Sequence, residues 1–469
     1  MPLKCQSTNA AHSDGVMRMS DDVSLIEAEQ RHGPVRPERP EQPRKREDSR
    51  ASAKSFEIPK RALWSAWKRV RANQGAPGVD KDSLQAFESQ LGRNLYTLWN
   101  RMSAGSYFPK PVRQVDIPKA DGRTRTLGIP TVTDRVAQMV AKAWIEPRLE
   151  AIFHSSSFGY RPGKSAHQAI AQARSHCWRY DWVVDLDIKG FFDTIDHDLL
   201  MKAVRKHVPE TWIRLYIERW LQCDMETPEG KRISRPQGTP QGGVISPLLA
   251  NLYLHYTFDA WMQTHYPGVP FERYADDVIC HCRTEEETQR LLEAIRERFA
   301  QCQLTLHPEK TRVVYCKDGR RRGDHACTQF DFLGFCFRRR SVQDRKGQLF
   351  VGFNPAVSPK ALKRMNLVLR TLRLHRQTQW TLPEVATCLN PIVRGWAAYY
   401  GRFHPLPLER FLVRLDLRLG RWACRKYKRM RGHKRRSWAW LKHVRAGSPR
   451  LFVHWEFLYL KEPRAGRAV

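Results

Sequence analysis

"FERYADDVIC", residues 271–280, sets Asp276 and Asp277 side by side between apolar neighbours. Adjacent carboxylates repel one another, and burying them is costly. Tyr274 and Ala275 precede them, and Val278 and Ile279 come straight after. The pattern predicts a hairpin with both carboxylates at its tip. A second acidic strand is predicted upstream, "WVVDLDI" at 182–188. There Asp185 and Asp187 share a face, while Val184, Leu186 and Ile188 take the other. If the two strands pair, three or four carboxylates converge with no Cys or His among them. Hard oxygen ligands of that kind suit Mg²⁺. Two such ions ~4 Å apart would clamp an in-line phosphoryl displacement. Taken alone, Asp276-Asp277 is also compatible with a solvated turn.

The rest of the chain narrows the choice. Its 469 residues are enough for two or three domains, and an apolar fraction of 41% supports packed cores. The charge is extreme: 81 Lys and Arg against 48 Asp and Glu, a net +33. A surface this basic repels itself unless a polyanion neutralises it, and nucleic acid is the leading partner. No apolar run is long enough to span a bilayer, so no membrane partner is expected. From Lys360 to Val469 there are 26 Lys and Arg against five Asp and Glu, which makes this end the main grip on a polyanion. Eleven scattered cysteines, an odd number without C-x₂-C pairs or a secretory leader, predict reduced thiols and a cytoplasmic location. Cys280-His281-Cys282 falls on a predicted strand and reads as core packing rather than a zinc site.

Residues 1–55 are polar and Pro-rich and predict a disordered arm, whose Asp21, Asp22, Glu27 and Glu29 argue against an organellar transit peptide. Helical spacing begins near Ile58 and breaks at "NQGAPGVD". A helix at 83–103 leads into a basic hairpin, "VRQVDIPKADGRTRTLGIPT". Further helices are predicted from Asp134 to about Ile152, after a Ser165 cap, and over 196–223. The turn-rich loop "PQGTPQGG" at 236–243 feeds a long apolar helix. A helix at 284–301, a strand "RVVYC" and the apolar "FDFLGFCF" follow, and basic amphipathic helices fill the chain from about 355. Strands and helices mix without βα alternation, which predicts an α+β fold.

Taken together, "RYADDV", "DLDIKGFFDTIDH" and "QGTPQGGVISPLLANLYLH" resemble, in order and spacing, the motifs of group II intron-encoded reverse transcriptases/maturases. The resemblance covers about 59–455. Ala275 within Tyr-x-Asp-Asp, and "NQGAPGVD" ahead of the basic hairpin, are similar to intron and non-LTR enzymes rather than retroviral ones. The resemblance implies a right-hand polymerase fold, fingers and palm with an antiparallel palm sheet, followed by an α-helical thumb or maturase domain. It implies an N-terminal extension over 56–110, fingers and palm over 111–345, maturase domain X over 350–430 and a short basic nucleic-acid-binding region over 431–469.

By the same resemblance Asp187, Asp276 and Asp277 are the catalytic, metal-holding carboxylates, with the Ile188 backbone carbonyl facing a metal and Asp185 in support. The implied cofactor is two Mg²⁺ ions. Arg113, Lys119 and Arg125 are implied triphosphate contacts, Gln241 and Gly242 line the nucleotide, and Lys310 lies near the pyrophosphate. Phe192 is the implied sugar gate, and "FDFLGF" resembles a primer grip. In "LNPIVRGWAAYYGRF" and "CRKYKRMRGHKRR", Arg394, Arg402, Arg425, Lys426, Lys428 and Arg429 are expected to hold RNA phosphates. The implied function is RNA-directed DNA synthesis with splicing assistance and intron mobility. The implied partners are group II intron RNA, an RNA template with a DNA primer, target DNA and dNTPs, in a cytoplasmic ribonucleoprotein. No HNH-type endonuclease is expected. An intron-derived enzyme recruited to defence or repair, or a splicing-only maturase, would carry a similar sequence. Replacing Phe192 with Val should raise ribonucleotide incorporation relative to deoxynucleotide, read by primer extension with each nucleotide set; unchanged sugar discrimination would remove the gate assignment.

Overall fold

The computed structural model describes residues 55–118, 124–343 and 347–460. The expected N-terminal arm and Lys119 therefore lie outside the described residues. Amphipathic α1 (Lys60–Ala72) buries Leu63, Ala66, Trp67 and Val70, and packs with α2 (Leu84–Glu88) and α3 (Leu91–Ser103). The basic hairpin forms as expected: β1 (Val112–Pro118) pairs antiparallel with β2 (Thr124–Ile129), placing Ile117 opposite Arg125. It is extended by the short strands β4 (Met225–Glu226) and β5 (Arg232–Ile233) in the order β2-β1-β4-β5.

Between them come α4 (Val132–Glu150), α5 (Ala166–Cys177), β3 (Trp182–Leu186), α6 (Phe191–Thr194), α7 (His197–His207) and α8 (Thr211–Leu221). Ser165 caps α5, and Gln168 returns the bond in a capping box. The long apolar helix is interrupted: α9 (Ser246–Leu254) passes through a π-helical turn, His255–Asp259, into α10 (Ala260–His265).

The central sheet has the order β6-β7-β3-β8, from β6 (Phe271–Tyr274), β7 (Asp277–Cys282), β3 and β8 (Arg312–Tyr315). The two acidic strands are thus neighbours, with Leu186 opposite Val278 and Asp185 opposite Ile279. Cys280 and Cys282 enter the main core, as their alternation predicts. His281 instead hydrogen-bonds buried Glu272, which also accepts from His176 (2.7 and 2.6 Å). No described cysteine forms a disulfide. After α11 (Glu285–Gln301), "FDFLGFCF" forms the turn between β9 (Gln329–Phe332) and β10 (Phe335–Gln343). β11 (Leu349–Val357) completes that three-stranded sheet, a second hairpin where the sequence reading placed the approach to helices.

The C-terminal unit is helical, as expected: α12 (Pro359–Thr371), α13 (Leu382–Tyr400), α14 (Leu406–Lys426), α15 (Lys434–Gly447) and α16 (Val453–Tyr459). Leu441, Phe452 and Trp455 share one core with Leu389, Leu412 and Trp422. The stretch from 434 to 459 thus packs into the core of the helical unit. Buried Asp416 fixes it there, accepting from Trp455 Nε1 (2.7 Å), the His454 ring (2.9 Å) and the Tyr459 hydroxyl (3.2 Å). A third core joins this unit to the central sheet through Phe330, Phe335, Phe337, Tyr399 and Tyr400.

Within the central unit, Arg273 is the largest buried charge. Its guanidinium donates to both Asp259 carboxylate oxygens (2.7 and 2.6 Å), to Asn251 Oδ1 (2.9 Å) and to the Ala275 carbonyl (3.2 Å). Arg273→Met leaves Asp259 buried without its counter-charge and should cost about 3–5 kcal/mol. Chemical denaturation measures this; a loss below ~1 kcal/mol would contradict the pairing's role.

Candidate active site

The site is built on the β6–β7 tip. Tyr274 pairs with Asp277, leaving Ala275 and Asp276 to make the turn. Ala275 takes φ +58°, a left-handed value that a non-glycine residue seldom adopts. The tip is held from behind: Arg273 clamps the Ala275 carbonyl, and Ser156 and Phe158 bond the Arg273 backbone (2.9 and 2.8 Å). Gly159 lies against the turn so closely that a Cβ there would sit 2.3 Å from the Ala275 nitrogen. Asn251, on α9, donates to the Gly159 carbonyl (2.7 Å). Neither Asn251 nor Asp259 stands out in the sequence; both act through contacts between segments far apart in the chain.

Asp187 lies just past β3, beside this tip. The segment 305–311 crosses it: His307 N–H donates to the Asp187 carbonyl (2.7 Å) and Lys189 N–H to the Thr305 carbonyl (2.9 Å). These bonds form the bridge between Ile188 and Leu306 and do not use the Ile188 carbonyl. The crossing brings Lys310 Nζ to 2.8 Å from Asp187 Oδ2. Asp277 is open to water although protein crowds its carboxylate. Burial, with Asp276 and Asp187 beside it, pushes the Asp277 carboxyl up to about 7, against the pull of Lys310 and Arg125. Asp276 is raised by burial and by Asp187. Asp185 reaches about 8 through burial and the charge of Asp277, opposed by Arg312. An all-oxygen set of crowded acids fits divalent cations, whose charge would reverse each of these shifts.

One wall of the site is the turn after β3. Phe191 is buried in the core, whereas Phe192 is only half-buried beside it. The "PQGTPQGG" loop is tied to this turn by Thr239 N–H to the Phe192 carbonyl and Gly238 N–H to the Ile195 carbonyl, both 2.7 Å. Gln241 reaches Asp193 (3.4 Å), and its carbonyl accepts from Gly128 of β2 (3.0 Å). Gly242, with φ +128°, presses on the Gly128 carbonyl, so its close approach is to the basic hairpin. Arg125 extends from that hairpin, exposed, with its charge acting on Asp276 and Asp277. Arg113 is turned toward the N-terminal segment, donating to the Pro77 carbonyl (3.0 Å).

The C-terminal candidates divide. Arg394, Arg402, Arg425, Lys428 and Arg429 are exposed on the helical unit. Lys426 is turned inward: its ammonium donates to the Thr378 carbonyl (2.8 Å) and lies near the Trp422 and Tyr427 rings. The expected grip at "FDFLGF" contacts this unit directly, since Tyr399 donates to the Leu333 carbonyl (2.9 Å). No helix among the described residues is long and apolar enough to cross a membrane.

Paired acidic strands, a hairpin of cations and a half-buried aromatic on one wall define a template-directed nucleotidyltransferase of the right-hand class. Residues 117–337 match the family "Reverse transcriptase (RNA-dependent DNA polymerase)", and residues 362–440 match "Group II intron, maturase-specific domain". Among curated proteins, the chain is 32% identical over 309 residues to Protein YkfC of Escherichia coli, covering 57% of this chain and 76% of that one. It is 33% identical over 194 residues to the group II intron-encoded protein LtrA of Lactococcus lactis subsp. cremoris (40% of this chain, 32% of that). A putative COX1/OXI3 intron 1 protein of Saccharomyces cerevisiae is 27% identical over 205 residues (43% and 24%). The chain thus spans three quarters of the first relative and a third or less of the other two. An apo telomerase structure from Candida tropicalis aligns over 49% of this chain and 53% of that one, at TM-score 0.38 and 13% identity, too distant to add to the fold. The chain belongs to the group II intron-encoded reverse transcriptase/maturase family: an RNA-directed DNA polymerase unit joined to a maturase-specific domain. Enzymes with this polymerase domain use divalent metal ions.

The raised carboxyls set a pH dependence. An acid raised on folding binds more protons folded than unfolded, so stability falls as pH climbs from its unfolded to its folded value. Metal-free protein should lose thermal stability from about pH 4 to pH 8, and Mg²⁺ should restore it most at the upper end. Asp185→Asn should flatten the slope. Melting curves across that range decide; a slope identical in the variant would contradict the Asp185 assignment.

Proposed function

We propose that this chain extends a DNA primer on an RNA template, using Asp187, Asp276 and Asp277 as the catalytic carboxylates and two Mg²⁺ ions as cofactor. Supporting this reading is one convergence: two adjacent strands bring the three carboxylates together at the foot of a cationic hairpin. The bound ions would supply charge neutralisation for the attacking hydroxyl and the leaving pyrophosphate. Asp187 and Asp276 bind and Asp277 supports; the buried Arg273 clamp keeps the Asp276–Asp277 tip from reorienting when charge develops, while the 305–311 crossing steadies Asp187. Lys310, held by Asp187 in this structure, is placed to meet the pyrophosphate once cations take its carboxylate partner. Arg125, with Lys119 and Arg113, is assigned to the triphosphate, where a guanidinium fork suits phosphate oxygens. Phe192 excludes a ribose 2′-hydroxyl, and Gln241 with Gly242 lines the nascent base pair.

The maturase-specific match and the exposed arginines of α13 and α14 extend the proposal to a host group II intron RNA, bound in a ribonucleoprotein, with assistance to splicing and mobility into target DNA. Primer extension on an RNA template with Mg²⁺ tests the polymerase. Template-dependent cDNA should form and fall by ~10³-fold or more with Asp276→Ala. Product at the wild-type rate from that variant would defeat the site assignment. Splicing of a group II intron RNA with and without the protein tests the second role separately.

A further inference from the structure

We propose that Tyr160 is a substrate-positioning residue, forming with Tyr274 an aromatic ledge that seats the primer-terminal base pair beside Asp276. The inference rests on the polymerase reading above and adds to it a side chain that none of the motif assignments covers.

Several independent observations meet at this residue. Tyr160 is 56% exposed, a large aromatic ring open to solvent in a chain that exposes few of its rings. Its backbone takes φ +57°, the left-handed region that a bulky side chain occupies only under constraint. The constraint is visible. Ser157 makes an isolated parallel bridge to Arg273, Phe158 N–H bonds the Arg273 carbonyl, and Asn251 holds the Gly159 carbonyl. Gly159 alone could pack this closely against Tyr274 and Ala275. A segment tied down at three successive residues thus ends by presenting a strained tyrosine to solvent. Its ring centroid lies 6.5 Å from that of Tyr274, at 44°. Among charged groups, Asp276 acts on it most strongly, ahead of Arg125 and Asp277.

Geometry then dictates what it meets. A primer hydroxyl attacking from the Asp187–Asp276 pair brings its own nucleotide over whatever adjoins Asp276. Phe192 and Gln241, on the wall beyond Asp187, take the incoming nucleotide. The free neighbour of Asp276 is the Tyr160–Tyr274 pair. Aromatic rings hold bases without regard to sequence, as a polymerase needs at a position that changes identity each cycle. Strain of this kind persists where the surroundings fix it, and such sites serve pre-organisation. The ledge and Asp276 share one rigid support, so a terminus seated on the ring has its hydroxyl aligned with the carboxylates.

The test compares wild type, Tyr160→Asn and Tyr160→Phe in the full chain. Asn tolerates the left-handed backbone and removes the ring; Phe keeps it. Each is measured for kcat and KM toward primer–template and toward dNTP, and for extension of matched against mismatched 3′ termini. Tyr160→Asn should raise the primer–template KM by ~10-fold and narrow the matched-to-mismatched ratio by a similar factor. The dNTP KM and sugar discrimination should stay near wild type, and Tyr160→Phe should restore the ratio. If Asn lowers the melting temperature, Tyr160→Gly gives the same truncation with the positive φ relieved. Wild-type primer KM and mismatch ratio in a well-folded ring-less variant would overturn the inference while leaving the polymerase standing. Absence of cDNA from the wild-type protein would remove the polymerase reading itself.

Discussion

The buried Arg273 guanidinium is the constraint on which the catalytic region depends. A charge at 0% exposure survives only with its partners in place, and here they come from three segments: Asp259, Asn251 and the Ala275 carbonyl. Asp259 can reach it because the helix after residue 254 widens into a π turn, a distortion that re-aims a side chain at a functional site. The same arginine belongs to β6, so the pair fixes the strand, the left-handed turn at Ala275 and the direction in which Asp276 points.

Around that anchor the electrostatics are deliberately unbalanced. Four aspartates lie at the ends of β3 and β7, and burial with mutual repulsion raises three of them. Lys310 and Arg125 relieve part of the repulsion from opposite sides, one across β3 and one from the basic hairpin. Carboxylates crowded in this way would be relieved by a divalent cation, and because only the folded chain brings them together, such binding would couple site assembly to the fold.

The helical unit solves a different problem. It carries much of the chain's positive charge yet must stay docked near the site. Its core is pinned by Asp416, one carboxylate serving His454, Trp455 and Tyr459, and its contact with the central sheet is aromatic. The buried contacts that hold position use the Asp416 carboxylate and aromatic rings, while Arg394, Arg402, Arg425 and Arg429 stay exposed on the surface. Lys426 is an instructive exception: within a basic run read as one surface, its long stem turned inward against Trp422 and Tyr427.

The sequence by itself determined the two acidic strands, the basic hairpin, the helices that carry most of the core and the places of Asp187, Asp276 and Asp277 in the chain, because those rest on local periodicity, charge and motif spacing. It also located the capping serine at 165. It could not show that Arg113 turns to Pro77, that Gly242 packs on Gly128, or that 434–459 folds back onto the helical core. Nor could it show the Arg273 clamp or the exposed ring of Tyr160. Those depend on which distant segments meet, and a side chain's direction there is set by partners that neighbouring residues do not encode. Local pattern fixed where the carboxylates stand in the chain; only tertiary packing decided how they are held and what stands beside them.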